Sequence, residues 1–166
     1  MAYSIRPFIP EDAPAIARVT LAAIAVVGAH SYSDKQVRAW AARHPGPERF
    51  IQRLADGAKI WVAADPDDVA VAYALLEYAE DGAAHLDMLY CDPDHTRKGL
   101  AGELLAAAEQ AARAQRAPKL FTEASELARA AFERAGYSVT HRRDFTIEHH
   151  GRVVPIHNYA MEKRLI

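Results

Sequence analysis

A basic, glycine-bearing turn in the middle of the chain has the residue types and spacing to do chemistry. It follows the apolar run Met88–Cys91 and opens a strongly helical segment, Leu100–Gln115. The first turn of a helix leaves backbone N–H groups unpaired and carries a partial positive charge, so a phosphate can be held there. Basic side chains add charge-assisted hydrogen bonds, and small residues let an anion approach the backbone. The turn consists of Arg97, Lys98, Gly99, Leu100, Ala101 and Gly102.

The turn matches neither of two common phosphate-binding fingerprints. It contains no GxxxxGK[ST] of a P-loop and no GxGxxG of a dinucleotide-binding fold. Taken alone, a Lys-Gly sequence before a helix is more often an ordinary turn. Whether this turn binds phosphate or is an ordinary turn therefore depends on the strands and helices around it.

Strands and helices alternate on both sides of the turn. Ser33 and Gln36 form a capping box for the second helix. Strands are predicted at residues 3–8, 59–66, 69–80, 83–93, 119–124, 137–147 and 153–165. Helices are predicted at Pro10–Val27, from Ser33 to about Arg43, and at Glu48–Ala55, Leu100–Gln115 and Ser125–Ala135. This order, with a meander in the middle and a hairpin at the end, predicts a mixed α/β sheet with helices on both faces.

Composition narrows the class of protein. The 166 residues predict one domain, residues 1–166, and 51% hydrophobic with 25% charged residues is typical of a soluble globular protein. A net charge of -2 argues against a general nucleic-acid binder. No run approaches the roughly 18 apolar residues of a membrane helix, and the N-terminus lacks a secretory pattern. With the single cysteine, Cys91, these features predict a cytoplasmic protein with no nucleic-acid or membrane partner.

The sequence around the turn resembles a known acetyl-CoA motif. MLYCDPDHTRKGLAGELL resembles the motif of the GNAT superfamily of N-acetyltransferases, which reads strand, proline, then [Arg/Gln]-x-x-Gly-x-[Gly/Ala] opening a helix. Pro93 and Thr96–Ala101 occupy the corresponding positions. IRPFIPEDAPAIARV resembles the family's first strand and helix, and ASELARAAFERAGY its late helix. The resemblance implies a GNAT fold, in which a mixed seven-stranded twisted sheet is flanked by helices in a single domain.

The resemblance also implies how acetyl-CoA, the expected cosubstrate, would be bound. Backbone amides from Arg97 to Gly102 would hold its pyrophosphate. The strand stretch Leu89, Tyr90 and Cys91 would contact the pantetheine arm, with main-chain groups of Leu89 and Cys91 bonding to it as an added strand would. The Leu89 N–H would stabilise the oxyanion formed from the acetyl group. The family's strand carries a bulge here and splays from its neighbour.

Two positions depart from the family pattern in the coenzyme site. Thr96 stands where the motif has Arg or Gln, and either Arg97 or the Thr96 hydroxyl would cover the lost contact. Ser125 stands where the family often has Asn. It is predicted either as a coenzyme contact or as an ordinary helix N-cap.

A third departure concerns the proton for the departing thiolate. Phe132 occupies the place of the tyrosine that commonly protonates it, and a phenyl ring has no proton to donate. Phe132 is nevertheless expected to contact the coenzyme. Tyr32 or Tyr90 is a possible replacement acid. Alternatively the thiolate leaves as the anion, since a thiol pKa of about 8.5 makes it a fair leaving group.

Three residues are candidates for the base that takes a proton from an ammonium group. His85 stands where the histone-acetylating branch of the family has a glutamate, and its unperturbed pKa is about 6.5; the alternative is a solvent-facing histidine. Asp87 shares the same strand face if no bulge intervenes. Glu77, on the preceding strand, is the third candidate. Glu77 and Tyr32 are also the predicted substrate-binding residues.

The function implied is transfer of an acetyl group from acetyl-CoA to a primary amine by direct attack in a ternary complex, without an acyl-enzyme. The acceptor stays open among a small amine, an amino acid, an aminoglycoside-like drug, and a lysine or N-terminus of a protein. The alternatives are a non-catalytic acyl-CoA-binding or sensing module and an enzyme that uses another acyl group.

His149 and His150 are interpreted as a solvated turn, so no metal is expected. The protein is expected to be a monomer or homodimer.

Overall fold

A computed structural model describes residues 2–44 and 46–166, and this part of the chain forms one seven-stranded sheet flanked by helices. The strands are β1 (Ser4–Pro7), β2 (Lys59–Ala64), β3 (Ala70–Tyr78), β4 (Ala84–Cys91), β5 (Lys119–Ala124), β6 (Ser138–His149) and β7 (Arg152–Arg164). The α-helices are α1 (Ala13–Val27), α2 (Asp34–Ala41), α3 (Glu48–Ala55), α4 (Leu100–Ala114) and α5 (Ala128–Arg134). The strand order is β1-β2-β3-β4-β5-β7-β6, and the pair β4–β5 is parallel. The predicted mixed sheet with helices on both faces is confirmed.

Helices cover the two faces of the sheet with different apolar clusters. Helix α4 presents buried residues at helical spacing, as an amphipathic helix on a sheet does, and it packs with α5 on one face. Helices α1 and α3 pack on the other face. Helix α2 packs against β6 and β7. The buried apolar residues of α4 are Leu100, Leu104, Leu105, Ala108 and Ala112.

The helical stretch Pro10–His30 is long and apolar enough to cross a membrane by length and composition. A core helix of a globular protein meets the same criterion. Ile16, Val19, Ala23 and Ile24 are buried in the fold, so core packing accounts for one face of this stretch, whereas Leu21 and Val26 are exposed.

The predicted bulge and splay occur in and beside β4. Leu75 pairs with Met88 while Leu76 pairs with Leu86, so Asp87 is the extra residue of a bulge. Strands β4 and β5 pair only between Ala84–Leu86 and Leu120–Thr122. Beyond Leu86 the two parallel strands separate and leave a gap in the middle of the sheet.

Capping interactions explain where two helices begin. The predicted box before α2 is present: the Ser33 hydroxyl accepts from the Gln36 N–H (3.2 Å), and the Gln36 side-chain oxygen accepts from the Ser33 N–H (2.8 Å). Helix α5 starts at Ala128 rather than at the predicted Ser125. Ser125 lies in the turn before the helix, where its hydroxyl accepts from the Ala128 N–H (3.2 Å) and its carbonyl from the Arg129 N–H (3.0 Å).

Candidate active site

The first turn of α4 offers unpaired backbone donors. The Glu103 N–H donates to the Gly99 carbonyl (3.1 Å) and is the first amide to close the helix. The N–H groups before it have no acceptor within the helix. They belong to Leu100, Ala101 and Gly102.

The backbone in front of these donors is open. Arg97 and Gly99 have left-handed φ angles of 62° and 77°, which turn the chain sharply before the helix. A Cβ atom added at Gly99 or at Gly102 would meet no heavy atom within 4 Å. Arg97 and Lys98 are exposed beside this space. Helix donors, free space and two cations together fit a pyrophosphate.

Thr96 contributes little to that turn through its hydroxyl, which donates to the Pro93 carbonyl (3.2 Å) and so closes the turn internally. Of the two replacements considered for the motif's Arg or Gln, the exposed guanidinium of Arg97 is the one left available.

Main-chain groups of Leu89 and Cys91 point into the gap between β4 and β5. The Asp92 N–H donates to the Val71 carbonyl (2.8 Å), which makes Val71 and Asp92 a hydrogen-bonded pair of the antiparallel ladder. Polar groups alternate along such a ladder, so Tyr90 bonds to β3, whereas Leu89 and Cys91 face away from it. Since β5 pairs with β4 only as far as Leu86, these groups are available to an extended ligand.

A largely apolar groove of about 470 Å³, the apolar groove, runs along this gap between α4, α5 and the two strands. Leu89, Cys91 and Phe132 line it. Phe132 is 5% exposed, and its ring meets Tyr137 edge to face with centroids 5.3 Å apart. The groove therefore has an apolar wall at the position of the family's tyrosine.

A second space of about 560 Å³, the polar cavity, adjoins the apolar groove. Arginine, histidine, aspartate and glutamate side chains line it together with parts of β6 and β7. The two spaces meet where β4 and β5 separate. The residues that line both are Tyr32, Trp40, Asp87, Met88, Tyr90, Glu123 and Ser125.

A charged network stands beside this junction. His85 Nδ1 lies 3.0 Å from Glu77 Oε1, and His85 Nε2 lies 2.8 Å from Glu123 Oε1. Arg53 donates to Asp87 and to Glu77, each at 2.9 Å. Burial lowers the pKa of His85, but its hydrogen bonds to Glu123 and Glu77 outweigh burial, and the net effect raises the pKa. The imidazolium form is thus stabilised.

The structure brings together the three predicted base candidates and divides them by access. Glu77, His85 and Asp87 have ligand-type atoms within 4.8 Å of one another. Asp87 lines both spaces, whereas the lining residues of the described chain do not include Glu77 or His85. Glu123, which the sequence analysis did not select, lines both. Its signal was a charged residue near the carboxyl end of a strand, the end where ligands bind in open α/β sheets.

Such a cluster of acids and a histidine could also hold a metal ion. Arg53 already places positive charge between Asp87 and Glu77, and both His85 nitrogens have carboxylate partners. The expectation of no metal stays a prediction.

The two candidate tyrosines have different surroundings. The Tyr32 hydroxyl donates to the His157 carbonyl (3.0 Å) and accepts from the Glu126 N–H (2.9 Å), so its proton is committed within the fold. Burial raises the pKa of Tyr90 well above its ordinary value. Tyr90 therefore stays a neutral phenol at the junction.

Cys91 is half-buried, and its Sγ lies 3.5 Å from the carbonyl oxygens of Asp92 and His95. Burial raises its pKa to about 11. A thiol with this pKa is a poor nucleophile near neutral pH.

A family model for the acetyltransferase (GNAT) domain matches residues 28–159. The chain is 28% identical over 133 residues to the uncharacterized N-acetyltransferase YafP of Escherichia coli (strain K12), covering 80% of this chain and 79% of YafP. A GCN5-related N-acetyltransferase from Rhodopseudomonas palustris has a TM-score of 0.83 and 31% identity, with 99% and 96% of the two chains covered. PaiA N-acetyltransferase from Thermoplasma acidophilum, solved in complex with coenzyme A, has a TM-score of 0.79 and 18% identity, with 99% of each chain covered. From the turn, the splayed strands and these likenesses we conclude that the chain belongs to the GNAT family of acetyltransferases.

Proposed function

We propose that this protein transfers an acetyl group from acetyl-CoA to a primary amine by direct attack in a ternary complex. The observation that carries the proposal is the junction at which the apolar groove and the polar cavity share lining residues. Two substrates that enter from these two spaces would meet at the junction, so the acetyl group could pass directly between them without an acyl-enzyme. The raised pKa of Cys91 supports a route without an acyl-enzyme on that thiol.

Acetyl-CoA fits the apolar groove by the groups already described. The turn Arg97–Gly102 would hold the pyrophosphate, while Leu89 and Cys91 would bond to the pantetheine arm. The coenzyme A complex of the Thermoplasma relative supports this assignment. The Leu89 N–H would stabilise the oxyanion, where a single good donor contributes roughly 3–4 kcal/mol.

Glu123 would take the proton of the ammonium group, because its carboxylate lines the junction. Its hydrogen-bond partner His85 also contacts Glu77, which gives the proton a route away from the junction. When Glu123 gains a proton, a neutral His85 with its own proton on Nδ1 can accept the new one at Nε2 and pass the Nδ1 proton to Glu77. Glu77 has a side chain that is 40% exposed, so it can release the proton to water. His85 and Glu77 then act as a relay rather than as the first acceptor.

The departing thiolate needs no dedicated acid in this scheme. Phe132 has no proton and the Tyr32 proton is committed, whereas Tyr90 lines the junction as a neutral phenol. A thiol pKa of about 8.5 allows departure as the anion.

Calorimetry with acetyl-CoA and coenzyme A, followed by a thiol-release assay over a panel of primary amines, tests the proposal. We expect micromolar binding and amine-dependent release of coenzyme A. Binding without turnover of any amine would favour the non-catalytic acyl-CoA-binding alternative. Preference for a longer acyl-CoA would change the acyl group. Absence of binding would refute the assignment of the groove.

A further inference from the structure

Three guanidinium groups line the polar cavity, and in the part of the chain that the structure describes they have no acidic partner. Arg43 follows α2, Arg49 lies on α3 and Arg143 on β6, and all three line the cavity. Arg49 donates to the Arg43 carbonyl (3.1 Å), and Arg143 to the Asn158 side-chain oxygen (3.0 Å). Within the described part of the chain, none of the three forms an ion pair with a carboxylate.

The two carboxylates of the same cavity already have partners outside it. Asp87 accepts from Arg53 at 2.9 Å, and Glu123 Oε1 lies 2.8 Å from His85 Nε2. Arg53 and His85 are absent from the described residues that line the cavity. The lining itself holds three arginines and two carboxylates, so it carries an excess of positive charge.

A neighbouring histidine responds to this charge. His44 lines the cavity, and burial followed by the charges of Arg49 and Arg43 lowers its pKa to about 4, although Asp87 opposes them. The imidazole is neutral at pH 7. It adds no charge of its own, and its depressed pKa agrees with a locally cationic surface.

A substrate that complements this cavity must be charged at both ends. An ammonium group fits beside Asp87 and Glu123, at the junction where the acetyl group would arrive. Guanidinium groups bind carboxylate or phosphate-type oxygens through paired hydrogen bonds. The arginines come from two segments far apart in sequence, the α2–α3 region and β6, so the charge does not result from one exposed basic loop.

We propose that the acceptor is an amine that also carries an anionic group, which Arg43, Arg49 and Arg143 bind while the ammonium faces Asp87 and Glu123. The inference rests on the proposed function and narrows its acceptor class. A carboxylate, as in an amino acid, and a phosphonate or phosphate share the chemistry that these arginines recognise.

Matched triads of acceptors test the inference. Each triad holds an amino acid, the amine obtained by removing its carboxylate, and the corresponding aminophosphonate. Binding to the protein saturated with coenzyme A is measured by calorimetry, and thiol release is measured in parallel with acetyl-CoA. We expect at least one anionic member to bind at least 10-fold more tightly than its decarboxylated partner. The arm that binds better identifies carboxylate or phosphonate as the anion.

Variants attribute the preference to the arginines. Arg143→Leu is expected to reduce it to within about 3-fold, whereas the neighbouring Arg142→Leu, which removes an exposed pair with Asp144, leaves it unchanged. Equal or tighter binding of the decarboxylated amines in every triad, or binding of no triad member, would overturn the inference. An anionic preference in binding without turnover would support the inference while contradicting the proposed reaction, so the two failures are distinguishable.

Discussion

The apolar groove and the polar cavity meet at the same two strands but are built from different groups. The groove presents main-chain N–H and C=O groups of Leu89, Cys91 and the first turn of α4, framed by apolar side chains. The cavity presents side chains of Arg43, Arg143 and other residues from distant segments. Under the proposed function, the main-chain groups would bind what every coenzyme A ester has in common, and the side chains would distinguish one acceptor from another.

The largest effect on binding should follow from blocking the main-chain donors at the first turn of α4. Gly99→Trp is expected to weaken acetyl-CoA binding by 100-fold or more, because the ring would fill the open space in front of the α4 amides. Calorimetry measures the loss. The left-handed φ of 77° adds backbone strain to this variant of about 1 kcal/mol.

Gly57→Trp is the matched control for that strain. Gly57 also has a left-handed φ, 103°, with no atom within 4 Å of an added Cβ, but it lies in the α3–β2 turn. It should retain coenzyme affinity. Retained affinity in Gly99→Trp as well would remove the pyrophosphate assignment.

In the polar cavity, Glu123→Gln should lower kcat by about 100-fold, which is in the range for loss of a general base. The Kd for acetyl-CoA should change by less than about 2-fold. Glutamine keeps an oxygen that can accept from His85 but cannot take a proton. Steady-state kinetics over pH with coenzyme calorimetry separates the two effects.

Glu162→Gln is the control for Glu123, because it removes a carboxylate paired with Lys119 at 2.8 Å on the neighbouring strand and lines neither space. Unchanged kcat in Glu123→Gln would transfer the base role to Asp87, and Asp87→Asn would then carry the loss.

The two histidines next to the junction, His44 and His85, should make the free energy of unfolding depend on pH in opposite directions. The pKa of His44 is lowered from 6.5 to about 4, so the unfolded state binds the extra proton and stability falls as pH drops from about 6.5 to 4, by up to about 3 kcal/mol. The pKa of His85 is raised, so its contribution is complete below about 6.5 and is lost as pH rises through the folded value.

Urea unfolding of His44→Gln and His85→Gln from pH 4 to 9 measures both dependences. His44→Gln should remove acid sensitivity, and His85→Gln should converge on the parent protein at alkaline pH. Parallel pH profiles of the parent and His44→Gln would show that neither burial nor the charges of Arg49 and Arg43 lower the pKa of His44.

The smallest effect is expected inside the groove. Phe132→Tyr restores a phenol at the family's tyrosine position, and kcat should change by less than about 3-fold, because the thiolate is already a fair leaving group. Phe132→Leu controls for altered packing against Tyr137. An increase of 10-fold or more with tyrosine, absent with leucine, would show that thiolate departure limits the reaction.

The groove was accessible from the sequence for a physical reason. The turn Arg97–Gly102 and the strand before it are contiguous, and turn geometry, helix donors and strand alternation are local properties. The resemblance assigned main-chain groups of both Leu89 and Cys91 to the coenzyme, and the period of two along a strand directs these groups to the same edge. The predicted α5 start was wrong by three residues because Ser125, Glu126 and Leu127 form a turn that the sequence does not distinguish from the first turn of a helix.

The cavity was not accessible in the same way. Arg43, Arg143 and Glu123 are brought together by the α2–β6 packing and by the parallel pairing of β5, which no local pattern specifies. His85 was selected by its position in a motif. Its two carboxylate partners, which set its protonation, come from β3 and β5, so its role depends on tertiary contacts.

The short pairing of β4 with β5 also bears on how long the protein survives. Strands β1 to β4 and the β5–β7–β6 group are joined in the sheet by only three residue pairs among the described residues, so this is where opening that exposes the chain to proteases should begin. A bound coenzyme A ester would span the same gap and, at 100 times its Kd, stabilise the native state by about 2.7 kcal/mol. The lifetime of the protein would then follow the supply of its own acyl donor.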